Sequence, residues 1–124
     1  KAGDVIVAGT DGLFDNLFNA ELADILTEFQ KRHGNKDNAS WTESADIMQQ
    51  FADTLASKAF EASRQKVRTV PFGENAKKHG FRWTGGKKDD ITVLVASCCY
   101  SPPQLQATSS PSSSPSPTRY SAKL

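Results

Sequence analysis

The chain has 124 residues, of which 37% are hydrophobic and 23% charged, a composition that gives room for one folded domain. Its formal net charge of +1 supplies no global attraction to polyanions, so neither nucleic acid nor an anionic membrane surface is expected as a partner. No apolar run approaches the roughly 18 residues that cross a bilayer, and no apolar segment behind Lys1 and Ala2 marks a secretory signal. The missing initiator Met, with a strand starting almost at once, predicts that further sequence precedes Lys1.

Val5, Ile6, Val7 and Ala8 are apolar on both faces of a strand, the pattern of a strand covered on both sides. Asp11-Gly12 follows directly. Leu22, Ile25, Leu26 and Phe29 then fall on one helical stripe, with Asn19 as the expected N-cap and Gly34 as the stop. Ser40 and Glu43 in "SWTE" have capping-box spacing. They predict a second helix whose face is Ile47, Met48, Phe51, Leu55, Ala59 and Ala62, running to about Gln65.

Pro71 opens a short segment, "PFGENAKKHG", that stops at Gly80, and Gly85-Gly86 forms a loop into a second apolar strand, Ile91 to Ala96. Cys98 and Cys99 are adjacent on that strand's end, so their side chains diverge and neither a disulfide nor a metal site is expected of them. From 101 to 124 Ser and Pro dominate, and such a tail buries too little apolar surface to offset the entropy of ordering it. The domain organisation expected is therefore 1–100 folded and 101–124 disordered. Two strands make a poor sheet alone, so more strands are expected from sequence upstream.

Asp11 stands at the end of the first strand, and Asp89 and Asp90 stand before the last. Antiparallel pairing of the two strands would bring these carboxylates to one sheet edge, where they make an oxygen site for a hard cation such as Mg²⁺ or Mn²⁺. The same residues also fit ordinary turn and capping chemistry.

"GDVIVAGTDGLFDNL" and "GGKKDDITVLVA" resemble the two late motifs of the metal-dependent type 2C serine/threonine protein phosphatases. The linking "PFGENAKKHGFRWTGGKKDD" is similar to a branch with organellar and plant members. The resemblance covers Gly3 to about Ala96 and implies an α+β fold: a partial α-β-β-α sandwich of antiparallel sheets flanked by helices, with its amino-terminal half missing. It implies two Mg²⁺ or Mn²⁺ ions in the complete site, with Asp11 and Asp89 as metal ligands. Asp90 sits where many relatives have Asn, and it is assigned a supporting or loop-fixing role. Asp15 and Asn16 are assigned capping and loop hydrogen bonds, and Thr10, Gly12, Gly85 and Gly86 the shaping of the backbone around the ligands.

The implied reaction is hydrolysis of phosphoserine or phosphothreonine in a phosphoprotein substrate by a metal-activated water. The family's early motifs, with a phosphate-holding arginine and an aspartate that bridges two metals, are not found; the single Asp-Gly is Asp11-Gly12. His33 and His79 are read as structural, so no catalytic side chain is assigned. The chain alone is expected to be inactive, and its partner is expected to be the missing amino-terminal half of the domain. The alternatives are a non-catalytic interaction module that binds through a bare sheet face, and a single-ion Mg²⁺ module unrelated to phosphatases. An intracellular location, organelles included, is expected, with the compartment itself unread.

Overall fold

The computed structural model describes residues 1–34, 39–100 and 120–124. In chain order the elements are strand β1 (Val5–Gly9), helix α1 (Asp11–Phe14), helix α2 (Asn19–His33), a 3₁₀ turn (Ala39–Glu43), helix α3 (Ala45–Arg64), helix α4 (Pro71–Lys78), strand β2 (Thr92–Ser97) and strand β3 (Tyr120–Lys123). The three strands form one antiparallel sheet in the order β1-β2-β3. Val7 lies opposite Val95, and Gly9 opposite Val93. The architecture is α+β, as the sequence leads one to expect: a layer of helices against an antiparallel sheet.

The core lies between the sheet and α3. Met48, Phe51, Ala52, Leu55, Ala56, Ala59 and Ala62 recur at helical spacing and are all buried, so α3 presents a continuous apolar stripe to β2 and β3. The alanines of its second half leave little side chain between helix and sheet. Leu13 and Leu17 after β1, Phe29 of α2, Trp41, and Ile91, Val93 and Val95 complete the cluster. Phe29 meets Phe51 with ring centroids 5.1 Å apart.

Several expectations change in the structure. The cap of α2 is Phe18, not Asn19; Glu21 holds that end by accepting a hydrogen bond from the Phe18 N–H at 2.9 Å. The capping box assigned to Ser40 and Glu43 gives way to a 3₁₀ turn, and α3 starts one turn later, where the Ser44 hydroxyl accepts from the Ile47 N–H at 3.4 Å. Its end at Arg64 and the end of α2 before Gly34 fall where the pattern predicts. β1 is covered on one face only among the described residues. Val5 and Val7 pack on the core, whereas Ile6, on the opposite face, is 55% exposed.

The reading of 101–124 as a disordered tail is corrected at its end. Tyr120–Lys123 form β3, because Tyr120 and Ala122 alternate with Ser121 and Lys123, so that one face packs on the core. The Ile91 and Leu124 main chains exchange bonds of 3.2 and 3.0 Å, and Gln49 of α3 donates to the Ser121 carbonyl at 2.9 Å. Residues 101–119 lie outside the described residues. Cys98 and Cys99 are free thiols.

Candidate metal centre

The site is built where β1 and β2 end. Thr10 joins them: its N–H donates to the Thr92 carbonyl at 3.0 Å, while its hydroxyl donates to the Asp90 carbonyl at 2.9 Å and accepts from the Thr92 N–H at 3.0 Å. With the strand ends so joined, α1 starts at Asp11 in a fixed place against residues 89–92. Gly12 faces the Asp90 carbonyl, and a Cβ there would lie 2.4 Å from that oxygen, closer than any side chain permits. The Asp-Gly pair thus turns the chain tightly while leaving the Asp11 carboxylate outward at the sheet edge.

Asn16 is fully buried. Its side-chain amide donates to the carbonyls of Gly12 at 2.9 Å and Lys87 at 2.8 Å, and its oxygen accepts from the Lys87 N–H at 2.9 Å. One side chain therefore clamps the α1 turn to the loop that carries Lys87 and Asp89. The Gly85-Gly86 turn anchors the same loop from behind, donating to the Arg68 carbonyl at 3.2 Å and the Gln65 carbonyl at 2.9 Å. The loop-hydrogen-bond role expected of Asn16 is observed, and so is a backbone role for Thr10.

These constraints bring one carboxylate oxygen from each of Asp11, Asp15 and Asp89 within 4.8 Å of one another. Asp15, expected to serve capping and loop bonds, does so as the C-cap of α1 and as acceptor of the Lys87 ammonium, and it also stands in this group. Asp90 contributes only its main chain: its carbonyl takes the Thr10 bond, and its N–H donates to Asp89 Oδ1 at 2.9 Å. Its side chain is not in the cluster. His33 stacks on Phe29 and His79 bonds the Asn75 carbonyl within its own helix end, both remote from the carboxylates in role.

Lys87 enters the same group. Its Nζ is 2.7 Å from Asp15 Oδ2, 3.0 Å from Asp89 Oδ2 and 3.4 Å from Asp11 Oδ2. It also lies 4.9 Å from the centroid of the Phe72 ring. The hydrogen bonds that Lys87 donates to Asp15 and then to Asp89 raise its pKa above the ordinary lysine value. The Lys87 ammonium, and next the Asp90 N–H, hold the Asp89 carboxyl below the usual range. One ammonium cannot neutralise three carboxylates, so the cluster keeps net negative charge and oxygen donors at a spacing suited to a hard divalent ion.

Sequence reasoning missed Asp15 and Lys87. Asp15 carried a signal, since it falls four residues after Asp11 and so on the same side of a helical turn. Lys87 carried none beyond lying two residues before Asp89.

The chain is 43% identical over 94 residues to the probable protein phosphatase 2C 55 of Arabidopsis thaliana, which covers 76% of this chain and 18% of that relative. It is 34% identical over 96 residues to the probable protein phosphatase 2C 80 of the same plant, covering 77% and 20%. To the Drosophila ananassae protein phosphatase PTC7 homolog fig it is 35% identical over 96 residues, covering 77% and 26%. The chain belongs to the type 2C protein phosphatase family. It spans about a fifth to a quarter of the length of these type 2C relatives. No family model and no solved structure matches it. No helix among the described residues is long and apolar enough to cross a membrane.

Proposed function

We propose that this chain contributes the late metal-binding segment of a type 2C phosphatase that hydrolyses phosphoserine or phosphothreonine in protein substrates. The observation that carries this reading is the convergence of Asp11, Asp15 and Asp89 on one point at the joined ends of β1 and β2, in a chain similar to proteins named as phosphatases. Asp11 and Asp89 would hold Mg²⁺ or Mn²⁺. When bound, such an ion lowers the pKa of a coordinated water and offsets charge on the phosphoryl oxygens.

The chain's own residues supply position. Thr10 holds the two strand ends together, Asn16 fixes the α1 turn against the loop bearing Asp89, and Gly12 allows their close approach. Asp11 and Asp89 act as ligands rather than as general bases, and Asp15 adds a third oxygen beside them. The phosphate-holding arginine and further metal-binding aspartate that the resemblance implies, not found in this sequence, would complete the reactive centre, so the 124-residue chain alone is expected to be inactive.

The test is Mn²⁺-dependent hydrolysis of p-nitrophenyl phosphate and of a phosphothreonine peptide. It compares the chain, a form extended upstream, and Asp11→Ala and Asp89→Ala in the extended form. Hydrolysis by the extended form alone, lost in either variant, is the expected result. Hydrolysis by the short chain would refute the need for residues outside it. Silence in both would favour a non-catalytic interaction module, a reading that draws on the bare sheet face around Ile6.

A further inference from the structure

We propose that Lys87 is an internal stand-in for the divalent ion: its ammonium holds Asp11, Asp15 and Asp89 together in the ion's absence, competes for their oxygens, and is displaced when the ion binds. This inference rests on the reading of Asp11 and Asp89 as ion ligands and deepens it.

The geometry makes the two cations mutually exclusive. Nζ lies 2.7 to 3.4 Å from the Oδ2 atom of each of the three aspartates that form the candidate site. An Mg²⁺ ion needs its oxygens at about 2.0–2.1 Å. An ion drawing on these oxygens would occupy the space the ammonium holds, and two positive charges would lie in contact. The trio thus has two states, each with a cation at its centre.

Lys87 is also placed to move. Its main chain is tied at both its N–H and its carbonyl by Asn16, so the loop stays in register whichever way the side chain points. While held by the aspartates the ammonium already lies 4.9 Å from the centroid of the Phe72 ring, so a cation–π contact borders the trio. Phe72 is itself held, by its N–H donating to the Asp15 carbonyl at 3.1 Å and by an edge-on contact with Trp83 at 4.8 Å between centroids. The neighbouring Lys88 is exposed and makes no ion pair among the described residues, which makes it the control for charge alone.

The experiment measures Mn²⁺ binding to the 124-residue chain by the EPR signal of free Mn²⁺, in the wild type, Lys87→Gln, Lys88→Gln and Asp11→Asn. Removing a unit charge in contact with the site is expected to tighten binding about five- to tenfold in Lys87→Gln, with Lys88→Gln within about twofold of wild type. Without metal, Lys87→Gln melts at a lower temperature than wild type, and Mn²⁺ raises its melting temperature by more. Unchanged or weaker binding in Lys87→Gln overturns the proposal, as does binding in neither protein.

Should Lys87→Gln fail to fold, the wild type decides. In protein labelled with ¹⁵N-lysine, saturating Mg²⁺ must shift the Lys87 ammonium resonance, and an unmoved resonance overturns displacement. The ligand reading fails separately, when Asp11→Asn binds Mn²⁺ as tightly as wild type. If Asp11→Asn abolishes binding while Lys87→Gln leaves it unaltered, the ligand reading stands and the stand-in role is refuted.

Discussion

Replacing Asn16 by Ala tests whether the site's geometry depends on one buried amide. The substitution removes three hydrogen bonds, to the Gly12 carbonyl, the Lys87 carbonyl and the Lys87 N–H. Each such bond contributes about 0.5–1.5 kcal/mol net, and more where a partner stays buried without water. The Gly12 bond is buried and the two Lys87 bonds are partly so, which puts the expected loss at about 3 kcal/mol. In a domain of about 100 residues each kcal/mol lowers the melting temperature by roughly 4–8 °C. A fall of about 12–24 °C follows on that scale. Urea and thermal melts followed by circular dichroism in metal-free buffer measure it. Asn16→Asp keeps the acceptor for the Lys87 N–H but loses both donors and adds negative charge near the aspartates, so it is expected to be at least as destabilising. A loss below about 1 kcal/mol in Asn16→Ala, less than one typical bond, would show that water replaces the amide and that the clamp does not position the loop.

Gly12→Ala places a methyl 2.4 Å from the Asp90 carbonyl and is expected to cost about 3 kcal/mol or more, as overpacking against main chain does. Gly80→Ala meets nothing within 4 Å at φ +83 and is expected to cost only the left-handed strain, about 1–2 kcal/mol; equal losses in urea melts would contradict the distinction. Asp89 has a folded pKa below its ordinary value of 3.8, so its contribution to stability is present above that pH and is lost as pH falls through the lower folded value. Lys87 has a folded pKa above 10.5. Its contribution is complete below 10.5 and is lost as pH rises through the higher folded value. Metal-free melts across pH should show both flanks, and Lys87→Gln should flatten them; an unchanged profile would count against the ion pairs. Deleting residues 120–124 removes the Tyr120 and Ala122 packing, the Ile91–Leu124 pair and the Gln49–Ser121 bond. A loss of about 2–3 kcal/mol is expected, and a melt indistinguishable from the full chain would show that β3 does not stabilise the sheet.

What could be read in the sequence was what repeats locally. Leu22, Ile25, Leu26 and Phe29 announce α2, and Met48, Phe51, Leu55, Ala59 and Ala62 announce α3, because burial on a helix obeys a short period. The meeting of Asp11 with Asp89 was legible for a related reason. Antiparallel pairing puts the end of one strand beside the start of the next, so two apolar runs with aspartates at opposite ends contain the convergence. β3 was hidden because four residues, Tyr120–Lys123, sit at the end of a Ser/Pro-rich stretch, and their pairing with β2 is a contact no local pattern encodes. Of the two apolar faces of β1, the one with Val5 and Val7 is covered among the described residues and the one with Ile6 is exposed.

Lys87 shows where reading from residue types stops. Three like charges at one point predict a cation, and residue types alone point to an ion from solution. The fold brings a second candidate from 72 residues beyond Asp15, a separation at which charge pattern carries no information about contact. Asp11 and Asp89 could be named in advance because they flank the two paired strands, but Asp15 comes from the α1 turn and the balancing cation from the loop, whose path is set by Asn16 and by the carbonyls of Gln65 and Arg68. The electrostatics of the site therefore follow from hydrogen bonds between main chain and side chain that hold no charge themselves, which is why a neutral substitution at Asn16 is expected to disturb an ionic cluster.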